Sequence, residues 1–285
     1  MANALIGFPN RIDSAVLSGG TWVTTLPRTN MQNRTLGQVA RSTLANLAST
    51  QFDMDVVTTK ATKILALVNH NFSLTAKVRI RGSDVSSFDT NVYDSGFLPV
   101  WPVVYASTEV DWEEDSFWAG QYTEDERAGY TAAYIHVMRT TVRARYWRVE
   151  IDDTSNAVGY VQIGRVFIGA AWQPTINMSY GAPIGWETKT TVQESLGGSE
   201  YFQRRTPYRV QNVEFDHLTI NEALGNAFDI QRRAGLDGEV LWVFDPDDTV
   251  HALRRRFLGR MQSLSPVQYP YPRVNSTAFS IKEIL

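Results

Sequence analysis

The chain of 285 residues contains no cysteine. That excludes disulfides, thiolate metal centres and cysteine nucleophiles together, and leaves stability to burial and subunit contacts. Lysine is scarce, with Lys60, Lys63, Lys77, Lys189 and Lys282 set against 22 arginines. The 27 basic and 30 acidic residues give a net charge of −3. Without a cationic excess no field gathers phosphates, so nucleic acid is not an expected partner. No apolar run approaches the roughly 18 residues of a membrane helix. The first 20 residues carry Arg11 as their only basic residue and are interrupted by Gly7, Pro9 and Asn10, so neither a membrane span nor a signal peptide is expected. Phosphate-cradling glycine loops, zinc-protease helices, calcium loops and the serine-hydrolase elbow are all missing. His70, His136, His217 and His251 are scattered without metal-ligand spacing and are expected to be structural. No catalytic residue, cofactor or metal is therefore expected.

Arginine, by contrast, is abundant. Its planar fork pairs bidentately and tolerates partial burial, which suits interfaces, although a biased genome gives the same ratio. Short alternations of apolar and polar residues, punctuated by Gly, Pro, Asn and Asp, fill the first 170 residues and predict antiparallel strands. Strands are expected at Ile64–Val68, Leu74–Ile80, Tyr134–Met138, Ala144–Ile151 and Tyr160–Ile168. In Ala144–Ile151, Trp147, Val149 and Ile151 share one face and Arg148 and Glu150 the other. The turn-rich stretch Asp152–Gly159 predicts that this strand and the next form a hairpin.

Residues 173–186 hold Pro174, Gly181, Pro183 and Gly185 with almost no charge, and read as a linker between a first domain, 1–172, and a second, 187–285. The second begins with strands at Thr188–Gln193 and Tyr208–Phe215. One helix follows. Thr219 and Glu222 form a capping box, Ile220, Leu224 and Ala227 recur at helical spacing, and Gly235 supplies the stop. Strands are then expected at Glu239–Phe244, Leu253–Met261 and Thr277–Ile284, with a turn at Asp245–Asp248.

Two sets of side chains stand out. The long connection from Gly96 to Ala132 carries Trp101, Trp112, Trp118 and Tyr122, whose rings suit either a sugar or a pocket on a neighbouring subunit. Around them lie Glu109, Asp111, Glu113, Glu114 and Asp115, then Glu124, Asp125 and Glu126. These are glycosidase-like carboxylates beside aromatic walls, or a solvated charged loop. The second set is Arg254, Arg255 and Arg256, a run too clustered for one copy to neutralise by itself. Asp245, Asp247 and Asp248 of a neighbouring copy are the expected partners. The same acidic turn could hold calcium, but Pro246 and its flanking strands favour a plain hairpin turn.

The segments Leu67–Ser73, Ala76–Ser83, Arg145–Ile151 and Gln162–Gly169 together resemble the galactose-binding-like, discoidin-type jelly roll over residues 15–172. The last hundred residues, with Arg209–Phe215, the capped helix and Asp245–Asp248, look like the compact β domains of minor tail proteins of long-tailed bacteriophages, of the distal tail or baseplate kind. In that group the accessory module usually follows the ring-forming domain; here it precedes it. The resemblance implies a mainly β fold, a galactose-binding-like β-sandwich plus a smaller C-terminal β domain flanked by one helix. It further implies a structural virion component of the tail tip, made and assembled in the bacterial host cytoplasm. Its partners would be a homo-oligomeric ring, the tail tube, hub and fibres, and a host glycan. The alternatives are a carbohydrate-binding module for host surface polysaccharide, using Trp101, Trp112, Trp118 and Tyr122, and a glycoside hydrolase using carboxylates from Glu109 to Glu126.

Overall fold

A computed structural model describes residues 2–106, 108, 111–114, 116, 118 and 120–285. It is mainly β, with antiparallel pairing throughout the described strands. The first part of the chain supplies β1 (Leu5–Gly7), β2 (Val16–Ser18), β3 (Ala40–Arg41), β4 (Phe52–His70), β5 (Lys77–Ser83), β6 (Tyr93–Asp94), β7 (Leu98–Pro99), β8 (Ala133–Asp152), β9 (Gln162–Gly169) and β10 (Ala171–Trp172). The rest supplies β11 (Ile184–Glu187), β12 (Thr191–Glu194), β13 (Glu200–Gln203), β14 (Tyr208–Leu218), β15 (Glu239–Val243), β16 (Arg256–Ser263), β17 (Gln268–Tyr271) and β18 (Val274–Glu283).

β4 and β8 are far longer than the short alternations suggest, because each runs on through a bulge. Pairing between them slips between Asp55 and Lys60, where Val57 adopts a positive φ and its N–H bonds the Asp55 carboxylate at 2.8 Å. The sheet folds over at this point. One arm, β2, the start of β4, the end of β8 and β5, faces the other arm, made from β3, β9, the end of β4 and the start of β8. Phe52, Met54, Val78, Ile80, Trp147, Val149 and Ile151 from the first arm share one buried cluster with Leu65, Leu67, Ile163 and Ile168 from the second. The alternation read in Ala144–Ile151 is thus correct as to faces. The expected hairpin is not: β9 pairs with β4 and β3, and β8 with β4 and β5, so the two strands lie in different arms. β9 is apolar on both faces because both are covered, and that is what makes it read as more apolar than its neighbour.

The outer face of the second arm does not meet water. Ile64, Ala66, Val68 and Phe167 pack against Leu5, Leu241, Val243, Leu258 and Ile284 of a second sheet, ordered β10-β1-β15-β16-β18-β14-β11. The far side of that sheet, with Ile6, Val213, Phe215, Val240, Trp242, Phe279 and Ile281, buries the apolar stripe Ala223, Ala227, Ile230 and Ala234 of a helix. Four layers result, three of strand and one of helix.

The helix carries the expected capping box: Thr219 Oγ1 accepts from the Glu222 N–H at 3.3 Å, and the Glu222 carboxylate accepts from the Thr219 N–H at 3.1 Å. Its first part, Asn221–Phe228, is wound as a π-helix before α-geometry takes over at Asp229–Ala234, and Gly235 ends it at φ +54°.

Four further expectations are corrected. Residues 173–186, read as a linker, are not all linker: Ile184–Glu187 forms β11, which joins β14 at the edge of the sheet, with Trp186 opposite Arg209. Pro183 precedes the strand, where its missing N–H costs nothing, and its carbonyl accepts from the Asn212 N–H at 3.1 Å. β1 leaves the first 172 residues and pairs with β15, and between them the Ala2 N–H bonds Asp245 across 243 residues of sequence. Pairing therefore crosses the expected boundary. Arg254 and Arg255 lie on a helical turn, Ala252–Arg255, and the strand begins only at Arg256. The segment near Thr188 forms its strand later, as β12, in a two-stranded hairpin with β13 that stands apart from both sheets.

Candidate ligand and assembly surfaces

The two sets of side chains singled out in the sequence meet inside one copy. Trp101 and Tyr122 are buried, at 7% and 5% exposure, whereas Trp112 and Trp118 stand at 73% and 87%. The Tyr122 hydroxyl donates to the Val250 carbonyl, and the Arg254 guanidinium lies 5.7 Å from the Tyr122 ring and 3.5 Å from Glu126. Between them opens a cleft of about 310 Å³, walled by Pro99, Trp101, Pro102 and Leu253 and edged by His136, Thr249 and Arg256. The Tyr134 hydroxyl in its lining is sealed from solvent and finds no partner among the described residues, and burial pushes its pKa up.

The arginine run is neutralised within the chain, so the expectation that one copy could not do so is corrected. Arg255 reaches Asp248 at 3.4 Å and lies over Phe244 at 5.0 Å. Arg256 donates to the carbonyls of Asp245, Pro246 and Asp248 at 2.8, 2.8 and 2.6 Å. The oxygen-rich turn thus holds a cation, and that cation is the chain's own guanidinium. The Asp245 carboxylate is taken by the N–H groups of Ala2 and Asp247, and Asp247 itself is exposed. Arginine is used in the same way elsewhere. On the outer side of the first arm, Arg145 pairs bidentately with Asp55, Arg148 with Asp53 and Arg79 with Asp94, while Arg81 pairs with Glu150. Internal ion pairs account for much of the arginine excess.

Of the acidic stretches, Glu109 and Asp115 lie outside the described residues. Asp111, Glu113, Glu114, Glu124 and Asp125 are exposed. Glu124–Arg127 is a short helix capped by Thr123 and Glu126, so the second acidic run serves the positive end of that helix, a signal legible in Thr123-x-x-Glu126. Burial works to raise the Glu126 pKa, but hydrogen bonds from Tyr105 and Thr123 and the charge of Arg254 outweigh it and hold the carboxyl below its usual range. Held ionised, Glu126 is poorly suited to donating a proton to a glycosidic oxygen. Among the described residues no cluster of His, Asp or Glu could hold a metal ion, and no helix is long and apolar enough to cross a membrane.

His70 anchors Trp101 from behind. Its ring stacks on Phe72 at 4.1 Å and lies 5.8 Å from Trp101; Nδ1 accepts from the Phe72 N–H at 3.3 Å, and Nε2 is sealed, with no partner among the described residues. Burial, aided by the charge of Arg127, lowers its pKa to about 3 from 6.5. An unfolded chain then binds a proton that the folded chain refuses. Stability is full above pH 6.5 and falls as the pH drops toward 3, by about 1.4 kcal/mol per unit from this group. Denaturant titrations over that interval should show a flatter pH slope for His70→Gln than for the parent chain; equal slopes would place the proton elsewhere. His136 is likewise pulled down by burial, and its Nε2 lies 2.6 Å from the Tyr93 hydroxyl. His217 and His251 are exposed.

No family model matches the chain, and no curated protein does. Solved structures similar to part of it include carbohydrate-binding modules. A mutant of the lectin-binding domain of lectinolysin complexed with Lewis b shares 12% identity over 57% of this chain and 97% of that one, at a TM-score of 0.39. A CBM32 module from a family 31 glycoside hydrolase of Clostridium perfringens shares 8% over 57% and 99%, at 0.38. A fucose-binding module of Streptococcus pneumoniae shares 9% over 56% and 94%, at 0.36.

Proposed function

We propose that the chain is a non-catalytic recognition protein whose jelly roll engages carbohydrate. The observation that supports this is the outward presentation of Trp112 and Trp118, at 73% and 87% exposure, on one connection with the exposed carboxylates of Asp111, Glu113 and Glu114. A flat indole face stacks on the apolar face of a sugar ring, and adjacent carboxylates accept from its hydroxyls. Trp101 and Tyr122 take the supporting role, fixing the base of the loop. The whole chain should bind a defined subset of a glycan array, and Trp112→Ala and Trp118→Ala should each weaken that binding about tenfold, the equivalent of about 1.4 kcal/mol. An array with no binding, or alanine variants that bind as the parent does, would sink the reading.

A second reading, a ring-forming subunit of a bacteriophage tail tip residing in the virion, is favoured by the β12–β13 hairpin. All eight of its strand residues are exposed, Val192, Tyr201 and Phe202 among them, and Leu196 tops its turn. An isolated apolar hairpin in water is a liability unless a neighbour covers it. Closed rings multiply weak heterologous contacts of this kind. Mass photometry at rising concentration should show discrete oligomers that vanish when Val192, Tyr201 and Phe202 are changed to Ser. Monomers at every concentration, together with no incorporation into tails, would remove the ring.

A further inference from the structure

Arg11 occupies an unusual position at the seam between the jelly roll and the second sheet. Its backbone N–H bonds the Ile168 carbonyl at 2.8 Å, but its guanidinium makes no hydrogen bond or ion pair among the described residues, and Nη1 is sealed from solvent. The group is only partly exposed. It borders a cleft of about 560 Å³ that also takes in Lys63, Trp172, Asn226, Asp229 and Arg233. The nearby cations do not relieve it. Arg233 lies over the Phe8 ring at 5.2 Å and shares Asp229 with Arg232, at 3.4 and 2.6 Å, so the one carboxylate of the cleft is already divided between two arginines. Lys63 donates to a neutral acceptor, the Arg139 carbonyl, at 2.9 Å. The indole N–H of Trp172, a residue 8% exposed, is a further sealed donor with no partner among the described residues. Burial and the charge of Arg233 both lower the Arg11 pKa.

A half-buried guanidinium with unmet donors and like-charged neighbours is costly, and among the described residues no acceptor stands within hydrogen-bond reach of it. We propose that this seam cleft is an oxyanion site, in which a carboxylate or phosphate group accepts hydrogen bonds from Arg11, with Arg233 and Lys63 completing the charge. Two oxygens on one atom match the guanidinium fork, and the anion neutralises charges that otherwise repel. Free phosphate and the carboxylate of an acidic sugar share this chemistry. The site is separate from Trp112 and Trp118 and stands whether or not those residues bind glycan.

The test is thermal unfolding of the full chain with inorganic phosphate or glucuronate, against chloride and glucose, at fixed ionic strength. Phosphate, glucuronate or both should raise Tm by about 3 °C at ten times Kd. A response to phosphate alone assigns a tetrahedral anion, and a response to glucuronate alone assigns an acidic sugar. Arg11→Met should lose the response while melting, without added anion, no lower than the parent, since it removes an uncompensated charge and keeps much of the apolar stem. Lys63→Gln, at a partly exposed position, should weaken the response and serves if Arg11→Met does not fold. A parent chain that answers to neither anion beyond chloride, or variants that respond as the parent does, would overturn the site.

Discussion

Arg165→Leu is expected to destabilise the chain by about 3–5 kcal/mol, because it leaves a buried carboxylate without its counter-charge. The Arg165 side chain is 0% exposed and that of Glu239 4%; Nη2 donates at 2.8 Å and Nε at 3.1 Å to the carboxylate. Asn10 adds a bond to the same carboxylate at 3.1 Å, and Asp13 approaches Arg165 from the rim. The pair bolts β9 to β15 of the second sheet, beside the apolar contacts of Phe167, Leu241 and Val243. With arginine gone, Glu239 must either stay charged in a low-dielectric seam or take up a proton, and each route costs folding energy. Changing both partners removes the difficulty. The double variant Arg165→Leu, Glu239→Leu should recover most of the loss in urea titrations. A single variant that loses less than about 1 kcal/mol would mean that the seam admits water.

Trp147→Ala is the other large effect, at about 3–5 kcal/mol. Trp147 is fully buried at the centre of the jelly-roll core, with the Tyr93 ring 6.2 Å away. Directly across the ladder sits Gly82, and a Cβ there would come within 2.9 Å of the indole. The glycine is space reserved for the tryptophan, so alanine at 147 leaves a cavity that the opposite strand has no side chain to fill. Trp112→Ala, at a position 73% exposed, provides the control and should stay within about 0.5 kcal/mol of the parent. A loss at Trp147 below about 1 kcal/mol would turn the strand over and put Arg148 and Glu150 inside.

The parts of this architecture visible in the sequence are those fixed by neighbours along the chain. Alternation in Ala144–Ile151 assigns faces, and Thr219 with Glu222 marks a helix start, because both depend on contacts within a few residues. Pairing is not local. Nothing in Val161–Ile168 says that its partner is β4 rather than β8; a strand buried on both faces reads alike in either arm. The acidic turn and the arginine run were legible as complementary, but sequence could not say that they belong to one copy, since proximity across 249–256 depends on a helical turn hidden inside an apparent strand. The aromatic loop divided for a similar reason. Trp101 and Tyr122 join the buried core cluster, and Trp112 and Trp118 stay exposed. Arg11 gave no signal at all, because an unpaired cation is recognised only once every carboxylate around it has been assigned.

The place of β1 in the second sheet bears on how the protein is made. Leu5–Gly7 leaves the ribosome well before its partner Leu241–Val243, and the contact beside them spans 243 residues. At about 5–20 residues per second, the N-terminal strand waits roughly 12–50 s for its neighbour. During that interval Ile6 and the outer face of β4 and β9, with Ile64, Ala66, Val68 and Phe167, stand uncovered on a nascent chain whose jelly roll is otherwise able to close. A chaperone that binds extended apolar segments has its window there, and a stalled or truncated transcript would strand the same surface permanently.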